Sequence, residues 1–287
     1  PGERDHCRYS DINDLVCNVN RFDYYGGVRL IKASVKRFAD YCLEQRIPLA
    51  QKNFTARYES TIPQHVGMAG SSAIITACFN ALMKFYNVEI RKEILPNLIL
   101  SVESQELKIA AGLQDRVIQV YGGLVYMDFN KEYMEKRGHG IYENLPTDNL
   151  PPLYVAFRQD LAEISDIVHS DLHSRYNSGN TKVHEAMNVF MEITEQARSI
   201  LKGEEKGDLG ALMNKNFDTR KTIMQISKPN KKMIETARAI GATSKFTGSG
   251  GAIVGTYKDE AMYERLEAAF ESQRVKIFKP DIIQYPV

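Results

Sequence analysis

The segment Pro63-Gln64-His65-Val66-Gly67-Met68-Ala69-Gly70-Ser71-Ser72-Ala73 sets glycines and paired hydroxyls directly before a helix-forming run. That pattern suits an anion. Glycine lets the backbone approach a phosphate closely and take φ > 0 where a turn demands it. The N–H groups of a first helical turn lack intrahelical acceptors, and the helix dipole favours negative charge beside them. The hydroxyls of Ser71 and Ser72 can bond phosphate oxygen or ligate Mg²⁺. The segment has neither the Gly-Lys-Ser/Thr of a P-loop nor the GxGxxG of a dinucleotide turn. The bland alternative is a Gly-Ser turn that merely caps a helix. Gly67, Ala69, Gly70, Ser71 and Ser72 are the phosphate-binding candidates, and His65 either touches the same anion or fills the turn.

These residues need a scaffold. Apolar residues Ile31, Val35, Phe38 and Cys42, opposite Lys32, Lys36 and Asp40, predict an amphipathic helix over 28–43. Phe54 to Tyr58 alternates and reads as a short strand. Residues 71–86 are nearly all apolar and read as a buried helix. A helix over 90–109 is disturbed by Pro96, and a shorter one over 113–121 is stopped by Gly122-Gly123. A strand follows at 124–129. Prolines 146, 151 and 152 mark a boundary between a domain over 1–150 and a second over 151–287. The second half reads as a strand at 153–157, helices over 182–202, 209–226 and 231–240, and a C-cap at Gly241. A second glycine-rich loop lies at 246–251. A strand at 252–257, a helix over 260–272 and a strand at 275–278 complete an α+β pattern.

Composition narrows the classes. Thirty-seven basic and 36 acidic residues leave a net charge of +1, which offers no footprint for nucleic acid or anionic lipid. Hydrophobic content of 43% and charged content of 25% fit a globular chain. No apolar run approaches the roughly 18–20 residues of a membrane span. Residues 1–10 are polar and do not read as a signal peptide. Cys7, Cys17, Cys42 and Cys78 form no CxxC, so reduced thiols and a cytoplasmic setting are expected. His169 and His173, with His184 nearby, have helical spacing but no acidic partner motif, and read as a solvent-facing face rather than a metal site.

The phosphate segment, Val102-Glu103, Gly112-Leu113-Gln114-Asp115-Arg116, Tyr121-Gly122-Gly123 and Lys245-Phe246-Thr247-Gly248-Ser249-Gly250-Gly251 occur in the order found in the GHMP small-molecule kinases, which this chain resembles. The resemblance implies a two-domain α+β architecture, with a ribosomal S5 domain 2-like N-terminal part and a ferredoxin-like C-terminal part. It implies ATP and Mg²⁺, with Ser72 and Glu103 on the metal and Asp115 as base. It implies that Gly248, Ser249 and Gly250 close on the phosphates. An ordinary Asp, with a pKa of about 3.9, is a weak base that orients a hydroxyl as much as it abstracts its proton. Residues 24–30, 112–127 and 245–252 look most like the plant-type branch that acts on glucuronate. That implies transfer to the anomeric hydroxyl of this sugar, with no nucleic-acid or membrane partner. A sugar 1-phosphate product also implies pairing, or fusion, with a sugar nucleotidyltransferase. Another hexose or a heptose, and a non-catalytic sugar or nucleotide sensor of the same fold, are the alternatives. Arg116 could fork onto a uronic carboxylate or make an ordinary surface ion pair. Tyr25 and Arg29 are further sugar-binding candidates. Only 23 residues precede Tyr24 where the family's first motif is expected, so the chain is expected to be trimmed or divergent there.

Overall fold

Capping explains where the first helices begin. Asp11 accepts the Asp14 N–H at 2.8 Å and starts α1 (Ile12–Phe22). α2 (Arg29–Glu44) buries Ala33, Val35, Phe38 and Cys42 on one stripe, as the spacing predicted. The computed structural model describes residues 7–24, 28–63, 66–158 and 172–283; Tyr25, His65 and His169 lie outside them. It divides into two units, Pro1–Thr61 with Ala69–Glu143, and Ile62–Met68 with Asn144–Val287.

In the first unit α3 (Gly70–Tyr86) faces α2. Phe38 meets Phe79 edge-on and stacks on Tyr86, both at 6.0 Å between ring centroids. α3 buries one face, through Ile75, Phe79 and Leu82, while Phe85 on the other side remains exposed. Its apolar composition therefore overstated its burial. Pro96 does not disturb a helix; it sits in the first turn of α4 (Leu95–Ser101), where its missing N–H is harmless. A π-helical turn, Val102–Glu106, continues α4. Then come α5 (Gln114–Tyr121), β1 (Leu124–Asp128), α6 (Lys131–Arg137) and β2 (Ile141–Leu145), with β1 and β2 forming a two-stranded sheet. Residues 54–58 form no strand: Phe54 packs on Phe85 and Tyr86, and no described strand pairs with that stretch.

The second unit is built on a four-stranded antiparallel sheet. It comprises β3 (Leu153–Phe157), β4 (Lys245–Phe246), β5 (Ala252–Thr256) and β6 (Lys276–Phe278), in the order β4-β5-β3-β6. Tyr154, Ala156 and Ile253 face a core shared with Met233 and Ile234 of α9 (Lys228–Ala239) and Leu266 and Phe270 of α10 (Glu260–Glu271). α7 (Thr181–Leu201) and α8 (Leu209–Ile223) precede them. Gly255 is a requirement of register, because a Cβ there would lie within a bond length or so, 1.7 Å, of the Thr243 carbonyl oxygen. Among the described residues no helix is long and apolar enough to cross a membrane.

Candidate active site

The two glycine turns meet. Gly67 lies 180 residues before Thr247, yet its carbonyl accepts the Thr247 hydroxyl at 3.2 Å. A Cβ on Gly67 would stand 2.7 Å from the Gly250 carbonyl oxygen, and one on Gly248 would stand 2.9 Å from that of Gly67. Gly67 also has φ +66°, so both conformation and space demand glycine. Three residues on, α3 begins after Ala69, whose φ of 56° is left-handed although it is not glycine. Such strain, on the order of 1 kcal/mol, is concentrated at functional turns. The Ala69 carbonyl is held by the Ser72 hydroxyl at 3.0 Å and by Nε2 of Gln119 at 3.1 Å.

In the first unit the acids are arranged by the π-helical turn, which widens the helix and turns Glu103 and Glu106 toward different partners. Glu106 accepts from the Tyr24 hydroxyl at 2.6 Å and from Lys36 at 3.1 Å. Glu103 is buried. Its Oε1 accepts the Ser71 hydroxyl at 2.8 Å, and its Oε2 pairs with Nη2 of Arg116. Arg116 also donates to the Gly112 carbonyl at 2.8 Å and stands 3.5 Å from Asp115. Asp115, in the first turn of α5, leaves 52% of its side chain exposed. Behind it Gln119 bonds Thr76 at 3.1 Å as well as Ala69, tying α5 to the start of α3. A buried carboxylate, a half-exposed acid and a hydroxyl-bearing helix start are thus brought together in the first unit.

The GHMP kinases N terminal domain model matches residues 29–123. Glucuronokinase 1 of Arabidopsis thaliana is 43% identical over 255 residues, covering 87% of this chain and 70% of that protein. Probable glucuronokinase 2 of the same plant is 44% identical over 256 residues, covering 87% and 69%. The chain belongs to the GHMP kinases. Its fold agrees: the mevalonate kinase structure of Methanococcus jannaschii matches with a TM-score of 0.67 at 20% identity, over 95% of this chain and 80% of that one.

Within this GHMP kinase the expected site residues fall into two groups. Gly67, Gly248, Ser249 and Gly250 lie together in the second unit, whereas Ala69, Gly70, Ser71, Ser72, Glu103, Asp115 and Arg116 lie in the first. The hydroxyl beside Glu103 is that of Ser71, while Ser72 is buried and turned onto the Ala69 carbonyl. Arg116 is neither a surface ion pair nor presented to a ligand, since its guanidinium is buried against Glu103. Arg29 is exposed at the start of α2. Sequence reading missed Gln119 and Arg220 because each acts by bonding distant backbone carbonyls, which no spacing rule reveals.

The donor chemistry fits magnesium. Ser71 Oγ and Glu103 Oε1 are 2.8 Å apart. Adjacent oxygens of an octahedron with Mg–O bonds of about 2.0–2.1 Å are about 3 Å apart. Among the described residues no three His, Cys, Asp or Glu side chains cluster as a metal site. Mg²⁺ is usually held by one or two protein oxygens, with water and phosphate supplying the rest.

Lys245 adjoins the second glycine turn, and its Nζ donates to the Phe246 carbonyl at 2.8 Å. Burial, and then repulsion from Arg220, lowers its pKa from 10.5 to about 8. Below that pH the folded protein holds a charge in its interior. Between about 8 and 10.5 the unfolded chain binds the extra proton, so this group makes stability rise with pH. Lys245→Met is expected to raise the urea midpoint at about pH 7, with the gain shrinking by about pH 10. A gain that does not vary with pH would assign the effect to packing instead.

Proposed function

We propose that this chain transfers the γ-phosphoryl group of ATP to the anomeric hydroxyl of D-glucuronate. The likeness to two glucuronokinases, at 43% and 44% identity, carries the choice of sugar. The meeting of Gly67 with Thr247 supports the choice of chemistry, because phosphoryl transfer needs positioning and charge neutralisation more than covalent help. The reading divides the chain into an S5 domain 2-like part and a ferredoxin-like part.

In this mechanism the backbone N–H groups of Gly67, Gly70, Gly248, Ser249 and Gly250 bind phosphate oxygens. Glu103 and the Ser71 hydroxyl would hold Mg²⁺, with Ser72 fixing the turn through the Ala69 carbonyl. The bound ion supplies positive charge to the phosphates. Arg116 fixes the Glu103 carboxylate. Asp115 orients the sugar hydroxyl and accepts its proton as the new O–P bond forms and the bond from the γ-phosphorus to the bridging oxygen breaks, releasing ADP. With Arg116 engaged, Arg29 is the candidate cation for the sugar carboxylate, alongside Tyr25. The sugar 1-phosphate product suits consumption by a nucleotidyltransferase.

ADP release measured over a panel of glucuronate, galactose and a heptose tests the proposal. Turnover on glucuronate alone is expected. Turnover on a heptose but not glucuronate overturns the substrate, and stabilisation by ATP·Mg²⁺ without turnover on any sugar makes the chain a sensor.

A further inference from the structure

We propose that Arg220 is a positioning residue that sets the second glycine turn to receive a phosphate group. This deepens the kinase reading and rests on it. Arg220 lies in the last turn of α8, with its guanidinium over the Phe246 ring at 5.3 Å. Its Nη1 donates to the Gly248 carbonyl at 2.9 Å, and Nη2 reaches the Ser249 carbonyl at 3.5 Å. Two successive carbonyls therefore face one cation.

In a planar trans peptide the carbonyl and the following N–H point in opposite directions. Holding the Gly248 and Ser249 carbonyls on Arg220 thus turns the N–H groups of Ser249 and Gly250 away from it. Among the described residues neither N–H has an acceptor. The flanks are pinned: the Thr247 N–H bonds the Ala252 carbonyl at 3.2 Å, and the Gly251 N–H bonds Oδ1 of the buried Asn230 at 3.0 Å. Gly250 has φ 150° and Gly251 φ 78°, conformations that suit glycine. Successive N–H groups pointing one way form an anion-binding nest. The guanidinium behind them adds favourable charge. A lysine ammonium carries the same charge but lacks the planar fork that reaches two carbonyls.

Calorimetric titration of the wild type, Arg220→Gln and Arg220→Lys with ADP and with adenosine tests this. Both variants are expected to lose about tenfold in ADP affinity and to bind adenosine as the wild type does. The KM for ATP should rise by a similar factor, with kcat within about threefold. Unchanged ADP affinity in Arg220→Lys overturns the inference, as does an equal loss for ADP and adenosine. If Arg220→Gln fails to fold, the Lys variant alone decides. A wild-type chain that binds neither ligand overturns the kinase reading itself, a result distinct from normal binding by the variants.

Discussion

Asp115→Asn is expected to lower kcat by about a thousandfold, the scale of a lost general base, while leaving ADP affinity unchanged. The substitution keeps the size of the side chain and removes its ability to take a proton. Asp115 is half exposed in the first turn of α5, and Nη1 of Arg116 is 3.5 Å from it. That guanidinium is anchored elsewhere, on Glu103 and the Gly112 carbonyl. The helix therefore loses little when the charge is removed, with the urea midpoint changing by no more than about 0.5–1 kcal/mol equivalent. Rapid-quench measurement of phosphoryl transfer, with calorimetry for ADP, separates chemistry from binding. A kcat within about tenfold of wild type would deny Asp115 its role.

Glu103→Ala is expected to be the most damaging single change, because it removes both a buried ion-pair partner and a ligand of the proposed metal site. Glu103 and Arg116 each expose 4% of their side chains. Removing one member of a buried ion pair leaves the other charged and desolvated, at about 3–5 kcal/mol. Nε of Arg116 has no hydrogen-bond acceptor, so the pair itself is incompletely compensated. An apolar replacement of both members, Glu103→Leu with Arg116→Met, should therefore recover most of the stability. It should recover no Mg²⁺-dependent activity. Urea unfolding of the single and double variants gives the stability comparison, and Mn²⁺ binding followed by electron paramagnetic resonance reports the metal site without turnover. A Glu103→Ala protein within about 1 kcal/mol of wild type would mean that water reaches Arg116 and that the pair is not structural.

Much of the fold was legible where one local rule dominates. The stripe Val35, Phe38 and Cys42 gave α2, and Gly122-Gly123, with φ of 70° and 68°, ended α5. The stretch 153–157, apolar throughout, read as a strand and is β3, whose inward residues are Tyr154 and Ala156. Local rules failed where a partner decides. Residues 54–58 alternate like a strand, but a strand needs a neighbour to satisfy its backbone, and no described strand pairs with them. α6 and β2 went unread because short, polar-rich elements carry weak periodicity, whereas α1 went unread although Ile12, Leu15 and Val19 recur at helical spacing.

The site divides along the same line. Residue types alone marked Gly67 and Gly248 as parts of two glycine-rich turns, since close backbone approach to an anion needs glycine, whereas Glu103 and Asp115 became candidates only through motifs whose order resembles that of the GHMP kinases. Tertiary structure alone decided that Ser71 rather than Ser72 meets Glu103, and that Arg116 is buried against that carboxylate. It alone brought Thr247 onto Gly67 and Arg220 onto Gly248. Those choices depend on the direction in which a hydroxyl, guanidinium or carbonyl points, and packing between distant segments sets that direction.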